Sequence, residues 1–250
     1  MSEYQYFEWQ VLDRPLSREE QVEVDRLSSH ITVSAGGAWV DYSWGDFKHD
    51  PLQVLADYFD AFLYMANWGS KQLAFRFPKA LVARDALEPF LFGDHVTLDT
   101  QGEWHILDFN FDEAEPSEAW MEAEGWLPAL APVRNEILHG DYRALYLVWR
   151  WFIDLDDGVE LGDDVLEPPV PPRLDKLTVA QQALIDWCGI DQRIVNAAAA
   201  AGATGAEAPA FDYVVALRHL PQDERDNFLM RLLEDEPHLA AKLRQRLREG

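Results

Sequence analysis

The spacing of apolar residues changes partway along the chain, and this change limits the available folds more than any other feature. Residues 4–12 are rich in aromatic and β-branched side chains, and Leu73, Phe75 and Phe77 alternate with other residues, so both segments predict strands. From Ser117 onward the apolar spacing is helical. The sequence therefore predicts an α+β fold, with an N-terminal mixed sheet-and-helix part followed by an all-helical C-terminal part.

Prolines divide the helical part. Residues 167–173 read Glu-Pro-Pro-Val-Pro-Pro-Arg. Because proline fixes its own φ and biases the preceding residue away from the helix, this segment predicts a stiff, extended connector. The predicted organisation is an α+β domain at residues 1–115, a helical extension packed on it at residues 116–166, the Pro-rich connector at residues 167–173 and a helical C-terminal subdomain at residues 174–250.

The strongest local helix signal is Asp50 followed by Pro51, because an acidic N-cap and a proline in the first turn both favour a helix start. Apolar residues continue at helical spacing as far as Ala66, and Gly69 follows. The pattern predicts one long helix across this segment. A Ser-x-x-Glu capping box beginning at Ser17 predicts a second, earlier helix.

Charge is distributed very unevenly. The chain has 45 Asp+Glu against 21 Lys+Arg, a formal net charge of −24, and residues 1–166 hold 32 of the acids but only 11 of the bases. The aromatic content (Phe 13, Tyr 8, Trp 10) argues against a disordered acidic chain. Such a surface repels phosphate backbones, so direct nucleic-acid binding is not expected.

Between Arg84 and Arg134 the chain contains twelve acidic residues and no base. One interpretation is a solvated face that keeps the protein soluble. The other is a surface that docks on a protein partner with a basic surface, or that mimics DNA to inhibit a DNA-binding protein. The partner-binding candidates are Asp108, Asp112, Glu113, Glu115, Glu118, Glu122 and Glu124.

Standard catalytic and cofactor motifs are missing from the sequence. It has no phosphate-binding loop, no dinucleotide-binding glycine pattern, no nucleophile elbow and no His-Glu-x-x-His helix, so no cofactor is predicted. Asp108, Asn110 and Asp112 lack the glycine and terminal glutamate of a calcium loop. A predicted hairpin with its turn at residues 99–102 places Val96, not His95, opposite His105, so no metal site is predicted either.

The predicted compartment is the cytoplasm. Residues 1–10 carry acids and aromatics where a secretory signal needs a basic end and an apolar run, and no segment is long and apolar enough for a membrane span. The single Cys188 agrees with a reducing environment. Nothing in the sequence predicts the oligomeric state.

One short segment resembles a known catalytic signature. Arg134-Asn-Glu-Ile-Leu-His139 is similar to the Arg-polar-x-x-x-His motif of HEPN ribonucleases, which are all-helical proteins. The resemblance implies a metal-independent ribonuclease in which Arg134 holds the scissile phosphate, Asn135 supports it and His139 is the acid/base group. The alternative from the residues themselves is an interior helix end, with Arg134 paired to an acid and His139 near a C-cap glycine.

Over most of its length the chain resembles a bacterial protein family with no assigned activity. The segments that carry the resemblance are Glu3-Tyr-Gln-Tyr-Phe-Glu, Trp44-Gly-Asp-Phe, Tyr58-Phe-Asp-Ala-Phe-Leu-Tyr64, Ala66-Asn-Trp-Gly69, Gly140-Asp-Tyr-Arg-Ala-Leu-Tyr146 and Glu167-Pro-Pro-Val-Pro-Pro172. The uneven acidity and the surplus of aromatic residues, in a chain without an enzyme signature, predict an accessory or adaptor protein that binds a protein partner.

Overall fold

A computed structural model describes residues 3–111, 123–155, 166–204 and 211–249. Its centre is a seven-stranded sheet in which every neighbouring pair is antiparallel, in the order β2-β3-β1-β4-β5-β7-β6. The strands are β1 (Gln5–Gln10), β2 (Thr32–Ser34), β3 (Gly37–Tyr42), β4 (Ala61–Ala66), β5 (Lys71–Pro78), β6 (Val96–Gln101) and β7 (Trp104–Phe111).

Helices lie between some strands and make up the rest of the described chain. Within the N-terminal part they are α1 (Arg18–Asp25), α2 (Pro51–Tyr58) and α3 (Arg84–Leu87), the last followed by a 3₁₀ turn at Glu88–Phe90. After the sheet come α4 (Trp126–Leu130), α5 (Pro132–Leu138), α6 (Arg143–Leu155), α7 (Val179–Cys188), α8 (Gln192–Thr204), α9 (Tyr213–His219), α10 (Gln222–Leu233) and α11 (Leu239–Glu249). The predicted α+β class with a helical C-terminal part is confirmed.

The two faces of the sheet have separate cores because side chains alternate along each strand. One face, with Leu73 and Phe109 among its members, packs against α4–α8 in a large cluster that also includes Leu184 of α7 and Ile194 of α8. The opposite face carries Trp9 and packs against α1 and α2. The sheet is thus sandwiched between two helical layers.

Both predicted helix starts are present. Ser17 and Glu20 make a reciprocal capping box at α1, and the Asp50 carboxylate accepts hydrogen bonds from the backbone N–H groups of Leu52 and Gln53 at α2. These caps satisfy N–H groups that the first helical turn leaves without partners.

The predicted extent of the second helix is wrong. Helix α2 ends at Tyr58, and Ala61–Ala66 form the central strand β4, which pairs with β1 and β5. Phe62 packs on the α2 side of the sheet and Leu63 on the other side. A strand buried on both faces is apolar at almost every position, so a helical spacing can always be found within it.

The predicted hairpin register is also wrong. Strand β6 extends to Gln101 and β7 begins at Trp104. These two residues pair with each other, so the turn is Gly102-Glu103. Gly102 has a φ of 56°, the left-handed conformation that glycine adopts without strain. His105 therefore lies opposite Thr100, whose Oγ1 is 2.9 Å from the His105 Nδ1, and Val96 lies opposite Phe109.

The residues beyond the Pro-rich connector differ in how they pack. Helices α7 and α8 share the larger core with the sheet, whereas neither core cluster includes a residue of α9, α10 or α11. The division of the chain at residues 167–173 stays a prediction.

Candidate docking surface

The acidic segment is only partly described. Asp112, Glu113, Glu115, Glu118 and Glu122 lie outside the described residues. Glu124 is exposed just before α4.

Asp108 does not belong to an acidic surface. It is 9% exposed, and the Gln72 Nε2 donates to both of its carboxylate oxygens at 2.9 Å. Alternation along β7 places Asp108 on the same face of the sheet as Ile106, a residue of the core on the α1 and α2 side. The amide partner reduces the cost of burying the carboxylate there. The expectation that Asp108 contacts a partner is corrected accordingly.

Glu124 is close to aromatic side chains of the first strand. Burial raises the pKa of Glu8, and the negative charge of Glu124 adds to this increase, while a hydrogen bond from the Tyr6 hydroxyl opposes it. Trp39 stacks on Tyr6, with ring centroids 6.2 Å apart, and remains 39% exposed. An accessible indole therefore stacks on Tyr6, whose pKa burial and the charges of Glu8 and Glu124 raise, and aromatic residues are enriched at protein interfaces.

The ribonuclease resemblance requires Arg134 to reach a phosphate, but the Arg134 side chain is 0% exposed. Its Nη1 and Nη2 donate to the two carboxylate oxygens of Asp13 at 2.8 Å, and its Nε donates to the backbone carbonyl of Arg76 at 2.6 Å. Two of the three nitrogens thus form a bidentate ion pair, the geometry that arginine favours in protein interiors, and the third is bound by a backbone carbonyl. Arg134 is correspondingly a structural residue in this fold, as the alternative interpretation expected.

A second buried arginine extends this network. The Arg76 Nη2 donates to the Asp60 Oδ1 at 2.8 Å, and the Asp60 Oδ2 accepts from the backbone N–H groups of Leu12 and Asp13. Burial by itself raises the pKa of Asp13, but hydrogen bonds from His238 and Arg134 outweigh it and hold that pKa well below the ordinary value. The network ties the loop after β1 to α5 and to the residue before α11.

The other two residues of the motif lie apart from this interior pair. Asn135 is exposed on α5. His139 is the C-cap of α5 and precedes Gly140, whose φ is 80°. Burial lowers the pKa of His139, and the nearby charges of Arg244 and Arg248 lower it further. The structure does not bring Arg134 and His139 together on an accessible surface.

Exposed apolar side chains concentrate on α9 and α10. Neither helix has a buried residue. Eight of the fourteen large hydrophobic side chains that are exposed in the described ranges fall within residues 211–233: Phe211, Val214, Val215, Leu217, Leu229, Met230, Leu232 and Leu233. We call these eight residues the C-terminal apolar surface. Helical spacing in the sequence indicates an apolar face here, but it cannot distinguish a face buried within the chain from an exposed one.

No group of three or more His, Cys, Asp or Glu side chains in the described parts of the chain is arranged to hold a metal ion. None of the helices that the structure describes is both long enough and apolar enough to cross a membrane.

The chain matches no protein-family model, no curated protein and no solved structure.

Proposed function

We propose that this protein is a cytoplasmic accessory protein that binds a protein partner with a basic surface. The observation that carries the proposal is the C-terminal apolar surface on two helices that bury no residue of their own. The charge that attracts the partner comes from the remaining candidates of the acidic segment: Asp112, Glu113, Glu115, Glu118, Glu122 and Glu124.

The apolar contribution rests on the degree of exposure. Leu229 and Leu232 are each 59% exposed and Leu233 is 77% exposed. Grouped exposed apolar side chains are typical of protein contact sites, and fully burying one leucine contributes about 1.5–3 kcal/mol. A partner that covers these three side chains therefore gains several kcal/mol toward the free energy of binding, about 1.5–3 kcal/mol for each fully buried leucine.

The charge contribution decides what kind of protein binds. A net charge of −24 favours encounter with a cationic surface and opposes self-association. Asp223 adds negative charge in the first turn of α10, whereas Glu224 is paired with Arg246. A partner that combines apolar residues with Lys and Arg complements the exposed apolar side chains and the net acidity of the chain.

The first test identifies the partner and then measures its affinity. The full-length protein is used to capture proteins from native cell extract at low and high salt, and a stoichiometric basic protein released by high salt is purified for calorimetry. Replacing Leu229, Leu232 and Leu233 by Gln is expected to weaken binding about tenfold or more, because the apolar contact is lost. Replacing Glu113, Glu115 and Glu118 by Gln is expected to weaken binding mainly at low salt.

Matched controls separate these effects from general ones. Val22 and Val179 are 51% and 89% exposed on other helices, and their replacement by Gln should leave the affinity unchanged. Glu19, Glu88 and Glu103 are exposed acids outside the proposed segment and serve as the charge control. Unchanged affinity in both test variants contradicts the proposal. A DNA-binding partner that DNA displaces identifies a DNA mimic instead, and capture of RNA without protein overturns partner binding.

A further inference from the structure

A cleft of 580 Å³ lies where three separate parts of the chain meet. Its walls come from α3 and the 3₁₀ turn after it, from the junction between α5 and α6, and from the Pro-rich connector. The lining residues are Asp85, Ala86, Pro89, Phe90, His139, Gly140, Asp141, Tyr142, Arg143, Pro169, Val170, Pro171, Pro172 and Arg173. This volume is in the range typical of small-molecule sites.

Positive charge gathers at this cleft in a strongly acidic protein. Arg143 and Arg173 line it. Arg248 of α11 reaches the same place, since its Nη2 donates to the His139 carbonyl oxygen at 3.3 Å. Arg143, Arg173 and Arg248 thus bring three of the 21 Lys+Arg of the chain to this cleft, and the charge of Arg244 acts on its His139. Low-dielectric walls strengthen the attraction between such cations and an anionic ligand.

Two acids line the cleft, and Glu136 and Asp175 also act on Arg143. Asp141 is already paired, because the Arg143 Nε and Nη2 donate to its carboxylate at 2.9 and 2.6 Å. The Arg143 Nη1 donates to the carbonyl oxygens of Arg173 and Lys176, which closes the connector against α6. Asp85 is the other lining acid and lies exposed on α3. Arg173 lines the cleft with its guanidinium, and Arg248 binds the His139 carbonyl and the Tyr213 hydroxyl through Nη2 alone among the described residues, so its other nitrogens can face a ligand.

Three polar side chains at the cleft have no partner among the residues that the structure describes. In the described ranges, the His139 imidazole, the Tyr142 hydroxyl and the Arg173 guanidinium form no hydrogen bond. Arg173 also has a φ of 63°, a left-handed conformation that costs a non-glycine residue about 1–2 kcal/mol. Such strain is found preferentially at binding sites.

The remaining lining is apolar and rigid. Phe90 packs against Tyr142 with ring centroids 5.6 Å apart, and the connector contributes three prolines and Val170. Prolines and aromatic rings lose little conformational entropy when a ligand covers them, so they form a preorganised wall.

We propose that this cleft binds a small organic anion, consisting of a phosphate or carboxylate group attached to a ring. Arg173 and Arg248 bind the anionic group, His139 and Tyr142 supply hydrogen bonds, and Phe90 with the prolines holds the ring. The cleft is lined by none of the eight residues of the C-terminal apolar surface.

The test uses phenyl phosphate as the probe and the full-length protein. Calorimetry measures its affinity, and NMR follows the His139 imidazole resonances, assigned with a His139→Gln variant. We expect saturable binding of phenyl phosphate with a shift of the His139 resonances. Inorganic phosphate and phenol should bind more weakly, since the first lacks the ring and the second lacks the anionic group. Absence of saturable binding, or equal affinity for phenyl phosphate and inorganic phosphate, overturns the proposal.

Two variants test the assigned residues without disturbing the fold. The Arg173 side chain is exposed and only its backbone is engaged, so Arg173→Gln removes one charge, and we expect a loss of about tenfold or more in affinity. Tyr142→Phe removes one hydroxyl and should cause a smaller loss. Arg18→Gln, an exposed arginine of α1, is the matched control. A loss in the control equal to that of Arg173→Gln contradicts the site.

Discussion

At the scale of single residues, the strongest interactions that we find lie in the interior and not at a surface. Arg134 and Asp13 form a bidentate pair, and the Arg134 Nη2 is also 3.7 Å from the Asp60 Oδ1. Removing a charge from water costs several kcal/mol, and the attraction within such a network offsets that cost only when each partner is present. Arg134, the first residue of the motif that resembles a nuclease site, therefore belongs to a buried ion-pair network in this structure.

Replacing Arg134 by Ala should lower the free energy of unfolding by about 3–5 kcal/mol, because Asp13 then remains partly buried without its main partner. Urea denaturation at pH 7 measures the change. Asn135→Ala, one residue along on the exposed side of α5, is the control and should change stability by less than about 0.5 kcal/mol. Near-native stability of Arg134→Ala would show that the buried network contributes little.

At the scale of secondary structure elements, local signals succeeded at helix starts and failed at the end of α2. The Asp50 cap acts through its own neighbours, Leu52 and Gln53, so the sequence is sufficient to predict it. The end of α2 depends on β4 pairing with β1 and β5, two partners distant in sequence from the helix start. The predicted hairpin register was wrong for a local reason. The turn was placed at residues 99–102 instead of Gly102-Glu103, and moving a turn changes every cross-strand pair.

The N-cap of α2 offers a direct test at this scale. Asp50→Ala removes both side-chain hydrogen bonds to the first turn and should lower the free energy of unfolding by about 1 kcal/mol. Chemical denaturation again measures the loss. Asp50→Asn keeps an acceptor oxygen in the same place and is expected to retain most of the stability, so equal losses in the two variants would contradict the capping role.

At the scale of the whole molecule, the described chain has a well-packed centre and a lightly packed C-terminal end. Both core clusters stop before α9, and only Leu220, Ala241 and Leu247 are buried apolar residues within residues 211–249. The His238 Nε2 lies 2.8 Å from the Asp13 Oδ2, and Arg248 contacts the His139 carbonyl oxygen. Polar contacts therefore contribute much of the attachment of this end to the rest of the molecule.

Hydrogen exchange should report this difference. Amides of α10 are expected to exchange at least about a hundredfold faster than those of β4, because a helix with no buried residue opens without disrupting the core. Mass spectrometry of peptic fragments measures the rates. Binding of the proposed partner should slow exchange in α10 and leave β4 unchanged, whereas equal protection of the two elements in the free protein would show that α10 is stabilised by contacts other than burial.

Local sequence patterns were enough to predict the α+β class, the caps at Ser17 and Asp50 and the helical character after the sheet, because periodicity and capping depend on residues a few positions apart. The three-dimensional fold was needed to establish that β4 is a strand, that Asp108 and Arg134 are buried, and that Arg248 reaches His139. Burial and pairing depend on which distant segments meet, and the same apolar or charged residue satisfies either environment until those neighbours are known.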